Sequence, residues 1–307
     1  MSIKHVAKAI SDLREATAEA TWTQWSAIFT VATSRRQARS IVDPEALLLV
    51  SLALRDHEPR LWSAAVLWAQ FGARLLSVQR AKNLARQFPP MVRERLGEFA
   101  QLAIRDGGDQ RWRSLVCGTR VQRPSGRART AAPRLEGAAA LMLRLRLGLG
   151  VGIKPDVLTY LIGIAGGANP VILIARATGY QGRAVRRALE DLLAGGFVES
   201  RPGTPVAYRV DTTKWAGLLD FEPSQPPAWH GWGPLFAFIV SLDLWSGSMP
   251  DVPSVLASEG RDLMARHVRA FHGVPRLPTL DKYRGEAWIG PFVKTLETCI
   301  EYLRLAV

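Results

Sequence analysis

Cysteine is scarce in this chain: Cys117 and Cys299 are the only two in 307 residues and lie far apart. That excludes a disulfide framework and a cysteine-based zinc site. Arginines near Cys117 would favour its thiolate, so a redox sensor and an incidental thiol both fit there. Histidine is equally thin. The two nearest in sequence, His267 and His272, are five apart, which does not set two ligands on one helical face. No glycine-rich loop carries the lysine and hydroxyl that cradle a phosphate; GIAGGANP at 163–170 lacks both. Carboxylates are scattered, with no pair placed for acid–base or two-metal work. These absences predict a protein that is not an enzyme and takes no cofactor or metal. Long apolar runs are missing too. The longest, Gly233–Leu242, is too short to span a bilayer and meets Asp243. The opening MSIKHVAKAISDLREA is amphipathic and charged rather than signal-like, so a cytoplasmic protein with no membrane partner is expected.

What is present is basic charge, unevenly placed. The formal charge is +13. Residues 1–109 carry 15 basic and 11 acidic groups, and residues 216–307 carry 8 and 10. Between them, residues 110–149 carry 9 and 1, and residues 150–215 carry 8 and 5. An excess gathered over one third of the chain suits a polyanion footprint better than diffuse solubilising charge does. Arginine outnumbers lysine 33 to 7. Arginine forks onto phosphate or guanine where lysine is a point charge, although a GC-rich genome produces the same bias.

Apolar periodicity predicts a mainly α protein: an N-terminal helical domain, a central winged helix-turn-helix with a small β-wing, and a C-terminal helical region. Residues 1–109 read as a helical bundle. Val6, Ala9, Ile10 and Leu13 share one face, and Leu47, Leu48, Val50, Ser51 and Leu54 follow Asp43 as N-cap and Pro44 at the first helical position. Pro59 opens a further helix, and another runs from Met91 to about Ile104 after Pro89-Pro90. Residues 110–134 read as an exposed basic linker or arm, with seven arginines and no acid from Gln110 to Leu135. As an arm it would lay Arg120, Arg123, Arg127 and Arg129 along a DNA backbone; as a tether it would only connect. Residues 135–215 form the helix-turn-helix domain, opened by a helix over about 135–147. Residues 216–307 form the C-terminal region, with helices near 234–246, 252–271 and 279–305 after the connector EPSQPPAWHGWGP. That region is expected to serve dimerisation or sensing. Core packing accounts for most of the ten tryptophans, and a ligand pocket or dimer interface built from Trp229, Trp232 and Trp245 is the alternative for those three.

Residues 155–211 carry the functional pattern. One helix starts at Pro155-Asp156 and buries Val157, Leu158, Leu161 and Ile162. Asn169 is expected as N-cap of the second, with Pro170 at N1 and Ile172, Ile174, Ala175 and Ala177 packing on the next helix. Gly179 supplies the turn, where a positive φ is needed. The third helix runs from about Gln181 to Leu193. Val185, Leu189 and Leu192 form its buried stripe, which turns Arg183, Arg186, Arg187 and Glu190 outward. After Gly195-Gly196 a strand begins at Phe197-Val198, turns through Arg201-Pro202-Gly203-Thr204-Pro205 and returns over Val206–Val210.

The stretch IARATGYQGRAVRRALEDLLAGGFVESR resembles the winged helix-turn-helix transcription regulators, broadly the MarR, ArsR and GntR families. The likeness covers about 57 residues, those of 155–211. It implies DNA binding, commonly as a two-fold dimer on a pseudo-palindromic site. In that geometry the early residues of the third helix enter the major groove. Gln181 would read adenine, Gly182 would let backbone approach phosphate, and Arg183, Arg186 and Arg187 would pair with guanine or phosphate. Arg201, Thr204 and Arg209 would serve as wing contacts. Gln181-Gly182 departs from the Ser or Thr helix cap that many members carry at that place.

These readings predict a sequence-specific regulator of double-stranded DNA, a repressor and a homodimer, with a partner protein or small-molecule effector acting through the helical flanks. The alternative is a non-catalytic winged helix that grips another protein, as an antitoxin-like or defence-system subunit would.

Overall fold

Helix α1 (Ile3–Ile28) forms because Val6, Ala9, Ile10 and Leu13 recur every three or four residues and bury one stripe. Helix α2 (Pro44–Ala53) begins as its sequence dictates: Asp43 Oδ1 accepts the Ala46 amide at 3.0 Å and Pro44 fills N1. All of α2 is buried, which makes it the axis of the helical body. Prolines also open α3 (Pro59–Phe71) and α5 (Pro90–Arg105), with α4 (Val78–Ala85) between them, capped by Ser77. The computed structural model describes residues 3–117 and 131–307.

The central unit follows: α6 (Leu141–Leu149), α7 (Ile153–Gly163), β1 (Asn169–Pro170), α8 (Val171–Thr178), α9 (Gly182–Ala194), β2 (Glu199–Arg201), β3 (Ala207–Arg209) and α10 (Thr212–Leu219). The strands make one antiparallel sheet in the order β1-β3-β2, with Ser200 opposite Tyr208 and Asn169 on the other side of Tyr208. Helices α11 (Trp232–Ser246), α12 (Pro253–Arg266) and α13 (Ile289–Ala306) complete the chain. The protein is thus mainly helical with one small sheet.

Among the described residues there are two hydrophobic cores. The smaller lies within the central unit and is made by Leu141, Met142, Leu158, Leu161, Val185, Leu189, Trp215 and their neighbours, with Ile41 reaching in from outside. The larger is shared by the two ends of the chain: α13 packs along α1, and α11 packs on both α1 and α2. Trp25, Phe29 and Trp68 meet tilted or edge-on at 5.1–6.1 Å, and Trp25 donates to Ser51 Oγ at 2.8 Å. Each such large side chain contributes about 1.5–3 kcal/mol by leaving water. Helices α1–α5 and α11–α13 are therefore one helical body carrying the central unit.

Several local expectations are corrected. The segment 110–134 is not wholly exposed. Residues Gln110–Leu115 form a 3-10 turn whose Trp112 is buried edge-on against Phe99 at 5.0 Å, because one large aromatic outweighs the polar residues around it. At its far end Pro133 bridges Phe29, and the Arg134 amide donates to Ile28 O at 2.7 Å. Arg120, Arg123, Arg127 and Arg129 lie outside the described residues. Asn169 does not cap α8. Its amide donates to the Tyr160 hydroxyl at 2.7 Å, while Asn169-Pro170 pair with β3 and Pro170 takes the cap position. Ile172 is 52% exposed; only Ile174, Ala175 and Thr178 of α8 are buried. The first strand of the ribbon starts at Glu199, two residues after Phe197. Helix α6 starts at Leu141 rather than 135, and α13 at Ile289 rather than 279, each preceded by a 3-10 turn. The 252–271 helix breaks at His267, and α10 is a helix beyond those the periodicity predicts. Trp229, Trp232 and Trp245 do not form one site. Trp232 is buried and stacks on Phe236, and Trp245 donates to Glu259. Among the described residues no helix is long and apolar enough to cross a membrane.

Candidate nucleic-acid interface

Helices α8 and α9 meet at Gly179, whose φ of 77° is the left-handed conformation that a residue without Cβ adopts cheaply. A Cβ there would stand 3.2 Å from Leu84 of α4. The turn is also held from outside. Asn83 donates to Gly179 O at 3.1 Å, and Arg80 Nε donates to Thr178 O at 2.7 Å. Gln181 then caps α9 in extended conformation without a side-chain cap bond, which leaves its amide exposed.

On α9 the buried stripe is Val185, Ala188, Leu189 and Leu192, as the spacing requires. Arg183, Arg186, Arg187 and Glu190 are exposed on the other side. None of the three arginines has an ion-pair or hydrogen-bond partner among the described residues. Three unpaired guanidiniums within five residues raise the local potential, and an anion arriving there displaces nothing but water.

Gln181, Arg183 and Arg187 line a groove of about 570 Å³ between α9 and residues 149–155. Lys154, which the sequence did not single out, borders it and pairs with Asp191 at 2.9 Å. Arg186 sits on the exposed face of α9 beside the groove, and Gly182 has open space where a Cβ would stand. Arg201 and Thr204 are exposed in and after β2. Arg209 is a paired charge, unlike Arg201. Its guanidinium binds Glu199 across the ribbon at 2.6–2.9 Å, so it braces β2 against β3 instead of presenting a free charge.

Behind the α8–α9 turn lies the feature that sequence reasoning missed. Asp43, Glu45, Arg80, Arg146 and Asp156 are all buried and joined in one network. Arg80 forks onto Asp43 at 2.5 Å for both bonds and reaches Glu45 at 2.6 Å. Arg146 binds Asp156 at 2.7 and 2.8 Å and Glu45 at 2.7 and 3.0 Å. Three carboxylates face two guanidiniums, and the residual negative charge is shared by the Ala46 and Ser77 amides and the Tyr180 hydroxyl. Burial alone would raise the Glu45 pKa, but Arg146, Arg80 and the hydrogen bonds outweigh it and hold the carboxyl below its ordinary value. Burial and the adjacent Asp156 carboxylate push the Tyr180 phenol well above its ordinary value, so it stays a donor. Tyr180 stands between Gly179 and Gln181, so the network ties the α8–α9 turn to α2, α4, α6 and α7. A signal was present in sequence: Glu45 is the single charge of α2, and Arg146 stands between leucines in α6.

Elsewhere the described residues hold no cluster of three or more His, Cys, Asp or Glu side chains arranged for a metal. Cys117 is exposed and Cys299 is buried, its thiol pushed up to about 12 by desolvation. Compared with known proteins, the chain matches no family model, no curated protein and no solved structure.

Proposed function

We propose that the chain is a sequence-specific double-stranded DNA-binding regulator of the winged helix-turn-helix kind, with α7, α8 and α9 as its three helices and β2–β3 as its wing. One observation carries this reading: three unpaired arginines project from α9 opposite its buried stripe. Side chains at the start of such a helix reach base edges in the major groove, and each correct bidentate contact with guanine is worth about 1–3 kcal/mol. The Gly179 turn and its buried anchor support the reading, because a reading helix works only if its tilt is fixed. Repression and dimerisation belong to the same proposal; a two-fold copy would place two α9 helices on one duplex.

Selection of genomic fragments retained by the protein, followed by binding titrations on the best duplex, tests it. Arg186→Ala together with Arg187→Ala is expected to abolish selective binding while leaving the unfolding midpoint in place. Wild-type affinity in that double variant would move the reading head elsewhere. Retention that ignores salt would favour a protein partner for the same surface.

A further inference from the structure

A second cleft, of about 410 Å³, opens where α7 and α8 face the helical body. Its walls are aromatic. Trp229 stands edge-on to Tyr160 with ring centres 5.5 Å apart, and the Tyr302 hydroxyl lies 2.6 Å from His230 Nδ1. Its charges come from both sides: Arg176 from α8, and Arg269 from the 3-10 turn Val268–Phe271. Both side chains are exposed, and neither has an ion-pair or hydrogen-bond partner among the described residues. Among the described residues no carboxylate lines the cleft. The first turn of α11 opens onto it as well, through Gly231 and Pro234, with no side chain capping the helix.

Two uncompensated arginines converging on one aromatic cleft call for an anion with a ring. A single carboxylate satisfies one guanidinium fork, whereas a phosphate dianion has the oxygens and the charge for two. Aromatic walls suit a planar ring stacked or edge-on, and the volume lies in the range of small-ligand sites. We propose that this cleft binds an aromatic phosphate monoester of mononucleotide size, its ring against Trp229 and Tyr160 and its phosphate between Arg176 and Arg269.

Calorimetric titration of the full chain with the adenosine, guanosine, cytidine and uridine 5′-monophosphates tests this. Inorganic phosphate, the matching nucleosides and benzoate run in parallel. At least one nucleotide is expected to bind at sub-millimolar concentration, with phosphate, nucleoside and benzoate each weaker by about tenfold or more. Arg176→Ala and Arg269→Ala are each expected to weaken it by a similar factor, and, both residues being exposed, without lowering the unfolding midpoint. The proposal is overturned if no nucleotide gives saturable heat. It is equally overturned if phosphate or benzoate alone binds as well, or if the double variant binds like wild type. No DNA enters the measurement, so it succeeds or fails apart from the role of α9.

Discussion

Arg146 and Asp156, ten positions apart, face each other across the α6–α7 turn in two parallel N–H···O bonds of 2.7 and 2.8 Å, with both side chains wholly removed from water. The other edge of the same guanidinium takes Glu45 from α2. One side chain thus closes a salt link between the body and the central unit. Removing it leaves two buried carboxylates short of their partner. Arg146→Met is expected to destabilise the protein by about 3–5 kcal/mol. Denaturant unfolding, with the midpoint read against the slope, measures this. A loss under 1 kcal/mol, roughly the worth of an exposed pair, would show that the network relaxes freely.

The same network predicts acid sensitivity. The Glu45 pKa is lowered in the folded protein, so its stabilising contribution is complete above the unfolded value, near 4.5. It is lost progressively as pH falls below that value toward the depressed folded one. Unfolding free energy measured from pH 7 to pH 3 should stay level until about the unfolded carboxylate value and then decline. Glu45→Gln should begin lower at neutral pH and decline less steeply. Parallel curves for the two proteins would remove Glu45 as the cause.

Gly179→Ala should cost about 1–2 kcal/mol, the penalty of placing an L side chain at a left-handed φ, because the φ there is 77°. Leu84 must also give way by a few tenths of an ångström. Thermal unfolding reads the stability loss. If the reading of α9 holds, DNA affinity should fall with it, since this turn sets where Gln181 and Arg183 begin. An unchanged midpoint would mean that the turn can shift without cost.

Salt dependence separates the two ribbon arginines. Arg201 is free, whereas Arg209 is held by Glu199. On the proposed function, Arg201→Ala should reduce the slope of log affinity against log salt by about 1, as one lost phosphate contact does. Arg209→Ala should leave that slope alone and lower affinity only through a loosened ribbon. Equal slope changes for both variants would return Arg209 to the contact surface.

Local chemistry was legible in the sequence, and distant pairing was not. The Asp43 cap, the Pro44 start, the Gly179 turn and the α9 stripe each depend on residues within a few positions, and each is found where the spacing puts it. Glu45 and Arg146 find each other across 101 positions, which no periodicity encodes. The same limit hid the cleft, whose Arg176 and Arg269 come from different elements. Trp112 shows a different failure: a run of arginines masked one aromatic residue that decides where its segment packs.

The packing of α13 along α1 has a consequence for how the molecule comes into being. The central unit can gather nearly all its own contacts from residues 141–221 while the body still waits for helices made later. Early closure of a compact insert and late closure of a host with widely separated strands of chain is the expected order during synthesis. The nascent protein would then carry a finished head on an unfinished handle, the faces of α1 and α2 that α11 and α13 cover still open to water.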